Sequence, residues 1–547
     1  MEAAMPNQAT PNRLYFGDCL EIMAEYIPNE SIDLIYLDPP FNSKRIYNAF
    51  IGGAQWVAFD DTWRWYEAID DFHSVAMQPQ YAPTMEGLRT MLGEGSRLAY
   101  LSYIANRLIE CKRVLKQTGS IYLHCDPTMS HYLKSVMDGI FGVGNFRSEI
   151  IWRRTNAHNK TTRQFGPIHE TIFFYSMSDD FKFHPGRVPY SKAYIESRFK
   201  YVDERGRYQT NYLTGSGRRS GKSGKAWRGF DPSSKDRHWA IPRSLRQYLP
   251  EHGKDMSSLE ALESLYAQEL IVFPKKTGGQ PMYKQYIGEG EYYQYVWSYQ
   301  PNTKGVLYGT DDCIDQDVKW LENEKEKLGY PTQKPLGLLK RILVTSSDPN
   351  DVVFDPFCGC GTTIHAAQDL ERRWIGIDVC VQACKIIQER LEGHFDSLWD
   401  QIEFVGMPKT LDDAKSLAAY DPFKFERWAA SLAPGMEANK KQRGDKGIDG
   451  RGRLPIRKGK FVDVVSQVKA GNSNPSHVQA FNEARRQAGA ELGVFTCFED
   501  KVTSGMRNAA VNTGKFLDRW PVIQLYTIED YFDGRLPDLP LSDFPRP

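Results

Sequence analysis

The sequence predicts an α/β chain, with a parallel-rich sheet split by a long polar insert and a separate domain after it. Three observations predict this. Short apolar runs closed by Gly, Asp or His alternate with helical patterns up to about Ser178. From there to about Gly329 the chain is polar, aromatic and rich in Gly, Lys and Arg, and the apolar runs return at Asp351-Val352-Val353-Phe354. A further change of composition falls near Met407, ahead of a helical stretch around Phe423.

The strand candidates run in order. Leu14-Tyr15-Phe16 ends at Gly17-Asp18, and Leu34-Ile35-Tyr36-Leu37 ends at Asp38-Pro39. Ile121-Tyr122-Leu123 ends at His124, and Ile150-Ile151-Trp152 and Ile172-Phe173-Phe174-Tyr175 follow. Continuous apolar runs of this length suit strands buried on both faces. Trp374-Ile375-Gly376-Ile377 adds another after the insert. The expected organisation is a flexible N-terminus (1–12), a first sheet half (13–179), the insert (180–330), a second sheet half (331–400), a linker (401–420) and a C-terminal domain (421–547).

Bulk properties set limits. A length of 547 residues is too great for one core. The formal net charge is zero, so any nucleic-acid partner must be held by local basic patches. No apolar run marks a signal peptide before Asn12, and no stretch approaches the roughly 20 residues of a membrane span. The nine cysteines include no CxxC pair. A cytoplasmic protein with reduced thiols and no membrane partner is expected. Cys358 and Cys360 sit in a glycine loop, and Cys380 and Cys384 open a helix, so they read as small buried side chains rather than zinc ligands.

Two segments carry the chemistry. Phe354-Asp355-Pro356-Phe357-Cys358-Gly359-Cys360-Gly361-Thr362-Thr363 lies between a strand and a helix. Its glycines permit a tight turn and close approach of a ligand, and the helix start offers free N–H groups. The next strand ends at Asp378, an acid placed to accept from ribose hydroxyls. Asp38-Pro39-Pro40-Phe41 follows another strand, where ligands gather in open α/β sheets. Asp38 offers a carboxylate acceptor, Pro39 a fixed backbone carbonyl, and Phe41 an apolar face for a planar ring.

The string FDPFCGCGTT resembles the cofactor motif of amino-group DNA methyltransferases, and Asp38-Pro39-Pro40-Phe41 resembles the catalytic motif of the N6-adenine and N4-cytosine enzymes. Gly17-Asp18-Cys19 is similar to the family's adenine-contacting element. Pro331-Thr332-Gln333-Lys334-Pro335 is similar to the element around the methionine moiety, and His169-Glu170-Thr171-Ile172 to a late structural motif. The catalytic motif comes first, a long variable segment follows and the glycine loop comes last. That order resembles the β group, in which the Rossmann-like methyltransferase sheet is circularly permuted. The resemblance covers residues 12–393.

It implies a site-specific, S-adenosylmethionine-dependent DNA methyltransferase acting on double-stranded DNA, as in restriction–modification or defence. The implied catalytic residues are Asp38, Pro39, Pro40 and Phe41. The implied cofactor residues are Asp18, Lys334, Asp355, Phe357, Gly359, Gly361, Thr362 and Asp378. An aromatic amine is a poor nucleophile because its lone pair is delocalised into the ring. A carboxylate accepting its N–H pulls the nitrogen towards tetrahedral geometry, and positioning does the rest. The aspartate form points to N6 of adenine, with N4 of cytosine as the alternative. Homodimers are common in this group, so a homodimer is a further expectation.

The insert is expected to choose the target. Arg218, Arg219, Lys222, Lys225, Arg228 and Arg237 lie among Trp227, Phe230, His238 and Trp239. Basic groups neutralise phosphates, and arginine also reads guanine edges. Gly221-Lys222-Ser223 is not a phosphate-binding P-loop, because Ser216 occupies the place of its first glycine.

In the C-terminal domain, Glu426 lies in a helical stretch, Asp449 follows a basic Gly-rich segment, and Gln467 and Lys469 share one face of a strand. This resembles the Mrr-like branch of the PD-(D/E)xK nucleases over residues 421–533. The resemblance implies that Asp449 and Gln467 would ligate Mg²⁺ and that Lys469 would orient water. An endonuclease-like fold kept only for DNA binding is the equal alternative. No ATPase motif accompanies it.

Overall fold

The computed structural model describes residues 12–43, 46–51, 54–154, 165–250, 255–276, 278–321, 326–408, 410–439, 447–457 and 460–540. Residues 1–11 of the expected flexible N-terminus lie outside the described residues, as do 440–446 ahead of Asp449. The chain forms two compact units. One comprises Met1–His184, Gln294–Tyr299 and Asp317–Pro547, and the other Pro185–Tyr293 and Gln300–Gln316.

The first unit is built on a nine-stranded sheet. Its strands are β1 (Arg13–Phe16), β2 (Ile32–Leu37), β3 (Leu115–Cys125), β4 (Phe146–Arg153), β5 (His169–Ser176), β6 (Val296–Ser298), β7 (Val352–Asp355), β8 (Arg373–Asp378) and β9 (Glu403–Val405). Their order is β6-β4-β5-β3-β2-β7-β8-β1-β9. From β3 to β9 every pairing is parallel, whereas β5 runs antiparallel to both β3 and β4. The late strands β7 and β8 fill the centre between the early strands β2 and β1. The sheet is therefore Rossmann-like and permuted, and its middle pairs only after residues more than 300 positions apart meet.

From Leu34 onward burial in β2 alternates with the pleat, after a register irregularity between Ile32 and Leu34. All six residues of β2 are buried. Ile32, Ile35 and Leu37 join the core that includes Leu101, Ile104 and Leu133, while Leu34 and Tyr36 join the core with Leu338, Ile342 and Trp374. The one acid inside β2, Asp33, is satisfied: Lys116 Nζ approaches its two oxygens at 2.9 and 2.8 Å, and Val352 N–H donates at 2.9 Å. Two edge strands were not anticipated. β6 leaves the expected insert range to pair in parallel with β4, and β9 lies in the expected linker. A helix, Leu411–Tyr420, occupies the rest of that linker, started by a Thr410–Asp413 capping box.

The second unit holds most of the insert. A four-stranded sheet combines Ile271–Val272, Met282–Tyr286, Gly206–Tyr212 and Tyr201–Asp203. Its core gathers Leu213, Trp227, Trp239, Leu262, Leu265 and Leu270.

Residues 421–540 build a five-stranded mixed sheet: β10 (Met436–Ala438), β11 (Gly450–Arg457), β12 (Lys460–Lys469), β13 (Leu492–Cys497) and β14 (Ile523–Thr527) in that order. The first three strands are antiparallel and the last two join in parallel. This sheet belongs to the same compact unit as the nine-stranded one. Arg427 donates to Glu21 at 2.8 Å, and Lys424 Nζ lies 3.2 Å from the Tyr26 hydroxyl. Among the described residues no helix is long and apolar enough to cross a membrane.

Candidate active site

Three adjacent parallel strands each end in an acid at the same sheet edge. Asp38 follows β2, Asp355 ends β7 and Asp378 ends β8. All three line one pocket, with Pro39, Pro40, Phe41, Phe357, Gly359, Thr362, Tyr330 and Lys334. The parallel register produces this convergence, because neighbouring strands that run the same way deliver their C-terminal ends together.

The Asp38-Pro39-Pro40-Phe41 segment is held at both ends. Buried β2 fixes its entry. At its exit Asn42 takes a positive φ of 59°. Its N–H and that of Ser43 donate to the buried Asp61 carboxylate at 2.9 and 2.7 Å, and Trp63 Nε1 donates to the same group at 2.9 Å. Sequence reasoning missed Asp61 as this anchor.

Asp38 is ion-paired: Lys334 Nζ donates to its Oδ2 at 2.6 Å. Lys334 is buried, lies 3.9 Å from Glu170 Oε2 and sits 5.3 Å from the centre of the Phe41 ring. Burial opposes its charge, but the Asp38 and Glu170 carboxylates hold its pKa above the usual lysine value. Glu170 is also buried, and its Oε1 accepts from Arg154 at 2.8 Å. Burial alone would raise the Glu170 pKa, but Lys334, His124 and Arg154 bring it down to about 2. His124 is fully buried, with Nδ1 2.8 Å from the Tyr36 hydroxyl. Its Nε2 lies 2.9 Å from Glu170 Oε2, close enough for an ion pair but poorly aligned for a hydrogen bond. Lys334, expected among the cofactor residues, thus pairs with the acid of the segment expected to be catalytic.

The glycine loop is a turn tied down by backbone amides. Gly359 and Gly361 take φ of +51° and +74°. A Cβ at Gly361 would lie 2.8 Å from Ile387, and one at Gly359 would lie 3.3 Å from the Tyr330 ring. Helix α1 (Thr362–Asp369) starts directly after Gly361. Asp378 Oδ2 accepts from Gly359 N–H and Oδ1 from Cys380 N–H, both at 2.8 Å. Burial pushes its carboxyl up to about 6 against those bonds. Asp355 accepts from Phe357 N–H at 3.0 Å. Burial, reinforced by Asp38 and Asp378, pushes it up to about 7 despite the Thr363 hydroxyl and the Phe357 amide. Thr362 Oγ1 accepts from the buried Arg390 at 3.0 Å. Gly17 and Cys19 line the pocket, but the Asp18 carboxylate caps the helix Cys19–Tyr26 and takes both bonds of Arg107 Nη2, at 3.0 and 2.8 Å.

The expected DNA-binding residues divide into two sets. Arg218, Arg219, Lys222, Lys225 and Arg228 are exposed, with Arg218 3.4 Å from Asp236 and Lys222 3.7 Å from Glu260. Arg237 instead ties its hairpin, donating to the Thr214 hydroxyl and carbonyl at 2.8 and 2.7 Å. Arg228 is engaged by Glu263 and stacks 3.9 Å from the Tyr266 ring centre.

In the C-terminal sheet, Asp449 Oδ2 accepts from Val468 N–H at 2.7 Å, which holds it beside β12. Gln467 Nε2 donates to Gly447 O at 2.8 Å, and Lys469 is half-buried two residues on. Glu426 lies on the helix Pro422–Ala430. Among the described residues no group of three or more His, Cys, Asp or Glu is placed to hold a metal ion.

The family model N6_N4_Mtase, described as DNA methylase, matches residues 32–389, a span enclosing Asp38, Lys334 and Asp378. The type II methyltransferase M.EcaI of Enterobacter cloacae is 29% identical over 299 residues, covering 53% of this chain and 57% of its own. The Mod subunit of the type III restriction–modification enzyme StyLTI, from Salmonella typhimurium, is 26% identical over 380 residues, covering 66% and 51%. The chain thus spans little more than half the length of these curated relatives. The cytosine-N4-specific PvuII DNA methyltransferase structure is 12% identical and covers 72% of this chain and 95% of its own, with a TM-score of 0.33.

Proposed function

The chain belongs to the N6_N4_Mtase family of DNA methylases, and on that premise we propose that it methylates N6 of adenine in duplex DNA, using S-adenosylmethionine within a restriction–modification system. The observation that carries this reading is the convergence of Asp38, Asp355 and Asp378 on one pocket.

The residues present fit the cofactor. Gly359 and Gly361 leave room that a Cβ would fill, Asp378 offers an acceptor for ribose hydroxyls, and Phe357 and Tyr330 give apolar walls. When bound, S-adenosylmethionine supplies an electrophilic methyl group. Asp38 accepts one N–H of the target amine, and the Pro39 carbonyl accepts the other. Both draw the nitrogen lone pair out of conjugation. Phe41 offers its face to the extruded base, offsetting part of the few kcal/mol that flipping costs. Arg218, Arg219, Lys222 and Lys225 neutralise phosphates from the insert. Nucleoside mass spectrometry of treated duplex DNA tests the reading. N6-methyladenine is expected, N4-methylcytosine would shift the target, and no methylated base would overturn it.

One observation favours a second activity. Asp449 is pinned to the backbone of β12 between the same-face residues Gln467 and Lys469. Mg²⁺ commonly takes one or two carboxylates plus water. Asp449 with the Gln467 amide oxygen is a sufficient protein contribution, and Lys469 would orient water. Mg²⁺-dependent plasmid cleavage that is lost in Lys469→Ala supports this nuclease reading. Absence of cleavage by the wild type contradicts it.

A further inference from the structure

Four buried side chains and the partly exposed Asp38 close a ring around the exit of β2. Tyr36 meets His124 Nδ1 at 2.8 Å, His124 Nε2 lies 2.9 Å from Glu170 Oε2, and that oxygen lies 3.9 Å from Lys334 Nζ. Lys334 closes the ring on Asp38 at 2.6 Å, two residues along the chain from Tyr36. The members come from β2, β3 and β5 and from the segment ahead of the helix Leu336–Ser346. Arg154, just past β4, holds the outer oxygen of Glu170 at 2.8 Å.

Elementary electrostatics explains why a second acid is there. A buried ammonium on a four-carbon stem is costly unless compensated on more than one side, and the stem is flexible. With Asp38 and the Thr332 carbonyl, 3.4 Å away, Lys334 would have one carboxylate only, and the pair would be freer to swing. Glu170 is itself immobilised: Arg154 fixes one oxygen, and His124, braced by Tyr36, flanks the other. Burial raises the Tyr36 pKa well above its usual value. Two acids, Asp38 and Glu170, face two bases, Lys334 and Arg154.

Resting on the methyltransferase reading of this site, we infer that Glu170 is a positioning residue for Asp38 that acts through Lys334. It pins the Lys334 ammonium on Asp38 Oδ2, so that Oδ1 is turned to the target amine. Glu170 touches neither base nor cofactor. Its effect is to keep one carboxylate rotamer in place through the methyl transfer.

A double-mutant cycle with pH profiles tests this. The charged and titratable groups around Lys334 are Asp38, Glu170, Arg154 and His124, with the Cys360 thiol on the cofactor loop and Asp355 behind Asp38. Removing the Glu170 charge leaves Lys334 one carboxylate instead of two, so its proton is lost at lower pH. Lys334→Met should lower kcat about 100-fold, the scale of a misplaced reacting group. Glu170→Gln should lower kcat on the order of tenfold and move the alkaline limb of the kcat profile down by about one pH unit. The cofactor KM should hold in both. The double variant should fall no further than Lys334→Met if Glu170 acts through Lys334 rather than through His124, whose ring lies 6.0 Å from that of Phe41.

Losses that multiply in the double variant, or a Glu170→Gln loss equal at every pH, would overturn the inference. If Glu170→Gln fails to fold by circular dichroism, Glu170→Asp runs the same test, since its shorter carboxylate should move the limb in the same direction. An unmoved limb there contradicts the inference. Wild-type methylation of duplex DNA separates the two readings. An active wild type with an unmoved limb rejects only the role of Glu170, whereas an inactive wild type rejects the site assignment and the inference with it.

Discussion

The two halves of the pocket bury carboxylates in opposite ways. On the side proposed as catalytic, Asp38 and Glu170 share Lys334, and Arg154 pairs with Glu170. On the side proposed for the cofactor, Asp355 and Asp378 are held by backbone N–H groups, and among the described residues neither is paired with a cationic side chain. The outcomes diverge accordingly. Glu170 is pulled down to about 2, while Asp378 rises to about 6 and Asp355 to about 7. Burial alone does not decide the charge state of a carboxylate; the nearest cation does. The carboxylates of the first half already have cationic partners. The cofactor half presents acids whose charge a bound cation would stabilise.

Neutralising one acid on each side should break the comparison most visibly. Asp378→Asn should weaken S-adenosylmethionine binding by roughly 10- to 100-fold, the scale of a lost charged hydrogen bond, whereas Glu170→Gln should leave it unchanged. Isothermal titration calorimetry reads both. Gly361→Ala tests the backbone of the cofactor half. Its φ of +74° and a Cβ 2.8 Å from Ile387 should cost about 1–2 kcal/mol, seen as a lower Tm and weaker cofactor binding.

The pH dependence of stability sharpens the contrast, because the two halves have opposite signs. A carboxyl raised in the fold contributes stability below its unfolded pKa, and that contribution is lost as pH rises through the folded value. For Asp355 the loss runs from the ordinary aspartate range up through about 7. Asp355→Asn should therefore raise Tm at pH 8, with the gain shrinking towards pH 5. Glu170 is depressed, so its contribution is present above the ordinary glutamate range and lost as pH falls towards about 2. Glu170→Gln should lower Tm at pH 7 and cost less in acid. The smallest effect is outside the pocket: Arg219→Ala should reduce the salt slope of DNA binding by about one.

Much of the fold was legible because central parallel strands read as unbroken apolar runs, as in Ile32–Leu37 and Val352–Asp355. Strands β6 and β9 were not, because they are short, partly polar edge strands whose identity depends on the neighbour they pair with. Of the site, the local motifs were readable: Asp38-Pro39-Pro40-Phe41, the glycine loop and Asp378. The Lys334–Asp38 pair was not, since its members lie 296 residues apart. A faint signal for the ring did exist. His124 and Glu170 are polar residues inside otherwise apolar strands, and such residues need partners when buried. Asp18 and Arg237 read as ligand contacts from local pattern alone, yet a helix cap and a hairpin tie occupy their side chains.

The most direct test is transfer of a labelled methyl group from S-adenosylmethionine to duplex DNA by the wild type and by Asp38→Ala, with cofactor affinity measured alongside. The expected result is a labelled exocyclic amine with wild type and a loss of about 10³-fold in kcat for Asp38→Ala, at unchanged cofactor affinity. Equal transfer by both proteins would contradict the role assigned to Asp38 and the site built around it.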